Sequence, residues 1–301
     1  MKTEIIEFAG CNGINLPAVI WQPEGEIKAV LQITHGMTEH IGRYERFAAD
    51  LCGLGIAVVG FDLRGHGKNS VDPNVASCGE GGWEASIEDM RLFFELLEQR
   101  FPKVPYYMLG FSLGSFLLRE YLNKYPNGIS GAIIAGTGHQ PGWLLSIMMG
   151  IVEGQIKKAG YDQTTDMVRQ LSFGTYNQKF KSNRTTADWL CSDEVELDQY
   201  LADPLVRKDI SAGLFYELLG SMKRTGKSCA YGNMPILLIS GQNDPVGDFG
   251  KSVQTIYNRM KKAGMENVTI RLLPNARHDI FHEETSDVAE KVRRCICDWI
   301  L

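Results

Sequence analysis

Gly110-Phe111-Ser112-Leu113-Gly114 sets a serine between glycines at the point where an apolar run gives way to a helical pattern. Ahead of it, Tyr106-Tyr107-Met108-Leu109, bounded by Pro105, reads as a short buried strand; behind it, Ser115 to Tyr125 carries apolar residues at helical spacing. The motif therefore occupies a strand-to-helix corner. Such a corner forces the serine backbone into a strained turn, and glycines two before and two after remove side chains that would collide with the adjoining strand and helix. The helix is predicted to start at about Leu113. Its unpaired amides and positive dipole end would then face the place where an oxyanion forms. In a chain with 32 glycines the pattern also arises by chance, so the reading depends on partners for the serine.

A serine hydroxyl is a poor nucleophile without a base, and the base needs a carboxylate to hold its tautomer. Of six histidines, His35 and His66 sit in glycine turns, His40 is next to Glu39, and His139 follows a glycine-rich stretch; His278 and His282 lie near the C-terminus. His278 follows a predicted strand, Val268 to Leu273, closed by Pro274-Asn275, and precedes a helix expected from about Glu283 to Leu301. It belongs to the kind of loop that favours catalytic groups. Asp244 holds the equivalent place one unit earlier, after the predicted strand Pro235 to Gly241 and before Pro245. Ser112, Asp244, His278 is the order nucleophile, acid, base, distinct from two other serine-protease orders. Competing assignments are Asp248 as the acid and His282 as the base, with Asp279 merely adjacent to the base; His282 reads better as a residue at a helix N-terminus. His278 and His282 are also spaced like a zinc pair, but Asp279 replaces the expected glutamate, Pro274-Asn275-Ala276 argues for a loop, and no third ligand is suggested. No metal is expected.

The second oxyanion donor should come from an early strand-to-loop junction. Ala29 to Thr34 is such a strand and His35-Gly36-Met37 follows it, so the backbone N–H groups of Met37 and Leu113 form the expected pair. His35 is read as a brace for that loop. Ile56 to Phe61 is another apolar strand, ending in Asp62-Leu63-Arg64-Gly65-His66-Gly67, a structural loop in which Asp62 and Arg64 are expected to pair with each other.

These segments together, His35-Gly36-Met37-Thr38-Glu39-His40 with Arg43-Tyr44, Asp62 to Gly67 with Ser70, Gly110 to Gly114, and the late Asp244 and His278, resemble the monoacylglycerol lipase and lysophospholipase branch of the α/β-hydrolase superfamily, with its serine aminopeptidase-like hydrolases. The match spans nearly the whole core. It implies hydrolysis of monoacylglycerols, lysophospholipids or other single-chain esters through an acyl-serine intermediate, with no cofactor. Asp279 and Phe281 depart from the glutamate and leucine common in the family, and the middle third of the chain matches less distinctively. A peptide or amide hydrolase of the serine aminopeptidase type, and a non-catalytic ligand-binding protein on the same scaffold, are the alternatives.

The chain has 301 residues, 44% hydrophobic and 22% charged, long enough to bury about three quarters of its unfolded surface. A net charge of -5 argues against a nucleic-acid partner, because no basic stripe balances phosphates. Acids occupy the first residues where a signal peptide has its apolar core. Seven scattered cysteines without a C-x-x-C pair read as reduced thiols of a cytoplasmic protein.

Strand and helix alternate over residues 3 to 135 and again over 235 to 301, which predicts an α/β architecture, a mostly parallel central sheet flanked by helices. Between them lies a mainly helical stretch with no clear strand, with helices expected over Glu194 to Ala202 and Gly213 to Lys223. The expected organisation is a hydrolase core over 1–136, a helical cap insertion over 137–232, and the rest of the core over 233–301. The cap opens with Trp143 to Val152, the most apolar run of the chain, too short for a bilayer span of about twenty residues. Three readings stand: packing beneath the cap, lining an acyl pocket through Trp143, Leu144, Met148 and Met149, or a greasy face for transient membrane or micelle contact. The charges Lys157, Lys158, Arg169, Lys179, Lys181 and Arg184 are expected on a solvated face.

Overall fold

Each apolar run becomes a strand, and the strands assemble into one twisted layer. The computed structural model describes every residue except Lys181 and Thr285. In chain order the strands are β1 (Lys2–Ala9), β2 (Asn15–Gln22), β3 (Ala29–Thr34), β4 (Ile56–Phe61), β5 (Val75–Ala76), β6 (Tyr106–Phe111), β7 (Gly131–Ala135), β8 (Asp209–Ile210), β9 (Ile236–Gly241) and β10 (Val268–Leu273). The helices are α1 (Glu45–Gly53), α2 (Gly82–Arg100), α3 (Leu113–Lys124), α4 (Gly142–Ala159), α5 (Asp166–Ser172), α6 (Glu194–Ala202), α7 (Ala212–Lys227), α8 (Lys251–Lys262) and α9 (Val288–Ile300). An eight-stranded sheet has the order β1-β2-β4-β3-β6-β7-β9-β10. From β4 to β10 neighbouring strands are parallel, while β1 pairs antiparallel with β2 and β2 antiparallel with β4.

The central strands are buried on both faces, which is why they read as continuous apolar runs rather than alternating ones. Successive side chains still go to opposite cores. Val59, Met108 and Leu238 join the cluster packed under α2, α3 and α8, whereas Val58, Leu109 and Leu237 join the cluster under α1 and α9. A parallel sheet brings the carboxyl ends of its strands to one edge, where ligands bind in open α/β sheets. The loops after β3, β6, β9 and β10 all leave at that edge, and they carry Met37, Ser112, Asp244 and His278.

Three local expectations are corrected. The last helix begins at Val288, so His282 lies in the loop before it and not at its N-terminus. The segment between β7 and β9 is not strand-free: Val75 and Ala76 pair in parallel with Asp209 and Ile210. Asp62 and Arg64 do not pair. The Asp62 carboxylate instead accepts the backbone amides of Ile41 and Lys68, both at 2.9 Å. Arg64 reaches Asp89, with its Nε 2.6 Å from Oδ2, and the carbonyl of Cys11. Asp62 is turned to those two backbone amides, and Arg64 to Asp89 on α2.

Candidate active site

At the end of β6 the chain turns into α3 through Ser112, which stands at φ 51° and ψ −116°, a left-handed backbone unusual for a residue with a side chain. The flanking glycines are explained by close approach. A Cβ on Gly110 would come within 2.3 Å of the Gly114 carbonyl oxygen, and one on Gly114 within 2.0 Å of the Thr34 carbonyl oxygen. The turn therefore closes on α3 at Gly110, and α3 packs on the end of β3 at Gly114, only with hydrogen at those positions.

The Ser112 Oγ is 2.9 Å from Nε2 of His278, and Nδ1 of His278 is 2.9 Å from Oδ1 of Asp244. The second contact is close in distance but off-line for an N–H donor. Asp244 is wholly buried and is held by the Val246 amide at 2.8 Å and the Ser240 hydroxyl at 3.1 Å. Asp248, the rival acid, is exposed and stands in a left-handed turn. His282, the rival base, has both ring nitrogens engaged, with Asp279 at 2.8 Å and the Arg43 carbonyl at 2.9 Å. That ring is committed to structure, and among the described residues no cluster of three potential metal ligands forms around it or elsewhere.

Met37 lies in the loop after β3, and Leu113 opens α3. Leu113 is the first residue of its helix, where amides lack intrahelical acceptors. The Met37 loop is shaped by Glu39, whose Oε1 accepts the Gly36 amide at 2.6 Å and the Tyr44 hydroxyl at 2.9 Å. His35 braces the loop as expected, accepting the Leu63 amide on Nε2 at 3.0 Å with Nδ1 2.8 Å from the Gly36 carbonyl. Burial pushes its pKa down, which suits a neutral bracing ring. Farther out, Arg43 bonds to Glu39 and Asp279. Burial alone would raise the Asp279 carboxyl, but His282 and Arg43 beside it hold it below the usual carboxylate range.

Above these groups lies a cavity of about 1120 Å³. Its floor includes Met37, Phe111, Ser112 and His278, and its walls come from residues 166–177, 186–190 and 200–209. Trp143, Leu144, Met148 and Met149 do not line it. The reason lies in how α4 packs: Leu145 and Val152 face the core, Met148 and Met149 are half-buried against the same cluster, and Trp143, Ile147 and Ile151 turn outward. Of the charges expected on a solvated face, Arg169 is exposed and also borders the cavity, paired with Asp166 and Asp209. Lys157 and Arg184 do make exposed ion pairs; Lys181 lies outside the described residues.

Several site residues carry no sequence signal of their own. The insert fastens the loop after β3 through His40 Nε2 to Asp203 Oδ2 at 2.7 Å, through Thr38 Oγ1 to the Tyr200 hydroxyl at 2.7 Å, and through the Arg207 amide to the Thr38 carbonyl at 2.8 Å. Separations of about 160 residues hide such pairs from any local reading.

The fold is that of α/β-hydrolases. A carboxyl esterase from Bacillus coagulans, solved with glycerol, superposes with a TM-score of 0.87 at 24% identity, covering 100% of this chain and 98% of that one. A soluble variant of the Saccharomyces cerevisiae monoglyceride lipase, solved with a substrate analog, gives 0.72 at 20% identity over 99% of this chain and 94% of its own. In sequence, monoglyceride lipase of Mus musculus is 24% identical over 93% of this chain and 84% of that protein. Monoacylglycerol lipase of Mycolicibacterium smegmatis is 23% identical over 92% and 90%. The model of the serine aminopeptidase S33 family matches residues 25–285, from before β3 through the loop that carries His278, and the chain belongs to that family.

Proposed function

We propose that this chain is a serine hydrolase that cleaves carboxylic esters of single-chain lipids, of the monoacylglycerol or lysophospholipid type, through an acyl-serine intermediate. The observation that carries the reading is the contact of Ser112 with His278 and of His278 with buried Asp244 at the floor of the cavity. Ser112 Oγ attacks the ester carbonyl while His278 Nε2 takes its proton. Asp244 stabilises the imidazolium, and the Met37 and Leu113 amides hold the oxyanion. His278 returns the proton to the departing alcohol, and water then repeats the cycle on the acyl-serine. Relatives that match nearly the whole chain and are monoglyceride lipases favour esters over the amides of the aminopeptidase alternative.

Residues 137–232 act as the cap: they leave the sheet after β7, return before β9 and supply most of the cavity wall. The seven cysteines are free thiols, which supports a reducing, cytoplasmic setting.

A fluorophosphonate probe is expected to label the protein once, on Ser112 by peptide mapping, because an activated serine beside an oxyanion hole attacks phosphorus and is trapped. In parallel, monoacylglycerols and nitrophenyl esters of graded length should turn over well above aminoacyl amides. No labelling of folded protein at alkaline pH, or faster amide cleavage, overturns the reading.

The outward face of α4 serves lipid contact. Trp143, Ile147 and Ile151 are 68%, 54% and 40% exposed, and their spacing of four sets them in one stripe. Among the described residues no helix is long and apolar enough to cross a membrane, so the contact is interfacial. Ile147→Asp should weaken binding to lipid vesicles by about tenfold, on the scale of one lost apolar side chain, while hydrolysis of a soluble acetate ester is unchanged. Unaltered vesicle sedimentation rules the contact out.

A further inference from the structure

Two aromatic rings pack against the His278 imidazole. Phe111, the last residue of β6, is 4.9 Å away between ring centroids with the planes inclined by 35°. Trp189 is 5.2 Å away at 38°, and it comes from the inserted segment. The segment is built to present it. The Asp188 carboxylate closes a turn by accepting the amides of Arg184 at 2.6 Å and Thr185 at 3.0 Å. The Trp189 amide donates to Asn177 Oδ1 at 2.8 Å, and the indole packs against Phe173 and Tyr176 with 7% exposure.

The loop that carries His278 is tied to that same segment on both sides of the histidine. Arg277 donates from Nη1 to the carbonyls of Asp188 and, at 3.0 Å, Cys191, and its guanidinium lies 4.6 Å over the Phe180 ring. The Asp279 amide donates to the Leu190 carbonyl at 2.7 Å. Sheet and insert thus hold the imidazole jointly.

A histidine held at its two ring nitrogens is well placed only while both contacts persist, because the torsion that turns its ring has a broad minimum. One of them, Ser112 Oγ, stops being a proton donor once it is acylated. The other, to Asp244, is close but off-line. In the acyl-enzyme more of the orientation falls to the packing of the ring against Phe111 and Trp189.

We propose that Trp189 is a positioning residue for the general base: its indole, delivered by Asp188 to Cys191, fixes the plane of His278 and matters most in deacylation, when the contact to Ser112 is lost. The inference rests on the acyl-serine reading above. It gives the insert a part in the chemistry beyond walling the cavity.

Stopped-flow hydrolysis of nitrophenyl acetate separates the steps, with active sites counted by complete fluorophosphonate labelling. Trp189→Leu, which keeps apolar bulk and removes the ring, is expected to slow deacylation per labelled site by about 10²-fold, the scale of an ångström of misplacement. Acylation should fall less than about tenfold, since the serine still engages the histidine. Trp189→Phe, which restores a ring, should recover deacylation to within about threefold of the parent. A fall in labelled sites with unchanged rates per site, equal losses in both steps, or no rescue by phenylalanine each overturns the proposal. If the leucine variant fails to fold, Trp189→Met takes its place with the same expectation, a deacylation loss of about 10²-fold against an acylation loss below about tenfold; no loss in either step, or an equal loss in both, overturns the proposal. Labelling of the parent at a residue other than Ser112 defeats the acyl-serine reading instead, so the two failures are distinguishable.

Discussion

Ser112→Ala is expected to lower turnover by about a millionfold while the fold stays intact, because a triad that acts as a unit loses nearly all its effect with its nucleophile. The residue left behind is small and already stands in the turn that Ser112 occupies, so the backbone strain at φ 51° is unchanged in kind. What survives is the contribution of the proposed oxyanion donors, the Met37 and Leu113 amides, and of binding, about 10³ to 10⁴ over water in comparable triads. The measurement is ester hydrolysis by parent and variant with matched circular dichroism. Activity within tenfold of the parent removes Ser112 as nucleophile.

Asp244→Asn should cost on the order of 10⁴ in turnover. The asparagine retains the shape but presents an amide to His278 Nδ1, which favours the wrong tautomer and no longer stabilises an imidazolium. Asp244 is buried and receives the Val246 amide and the Ser240 hydroxyl, so part of the loss can appear as stability and melting curves must accompany the kinetics. Asp248→Asn is the control. Its side chain is exposed, and it should leave turnover within about twofold, as surface substitutions do. A dead Asp248 variant with a working Asp244 variant reverses the assignment of the acid.

Much of this site was legible because its elements are local. Gly110 and Gly114 announce a turn that only hydrogen fits, and the strands that precede Ser112, Asp244 and His278 are apolar runs with clear ends. The parallel sheet then brings the loops together without any further signal. Elsewhere the sequence was ambiguous or misled. Trp143 to Val152 left three readings open, core beneath the cap, acyl-pocket wall or greasy outer face, because a helix can turn such residues either way, and here Leu145 and Val152 go to core while Trp143, Ile147 and Ile151 turn outward. Asp62 and Arg64 looked paired by proximity in sequence, but Asp62 serves a backbone turn and Arg64 serves Asp89.

What the sequence by itself determined is the sheet, its helices, the elbow and the placing of Ser112, Asp244 and His278 in loops after three of its strands, since each rests on a short-range pattern of burial period, turn residues or spacing. Only the tertiary structure decided which acid meets His278, which residues wall the cavity, and that Trp189 lies on the imidazole while His40 and Thr38 are fastened to Asp203 and Tyr200. Those contacts join residues up to about 160 positions apart. They follow from how the insert lies on the sheet, and packing between distant surfaces leaves no periodicity in the chain from which to read it.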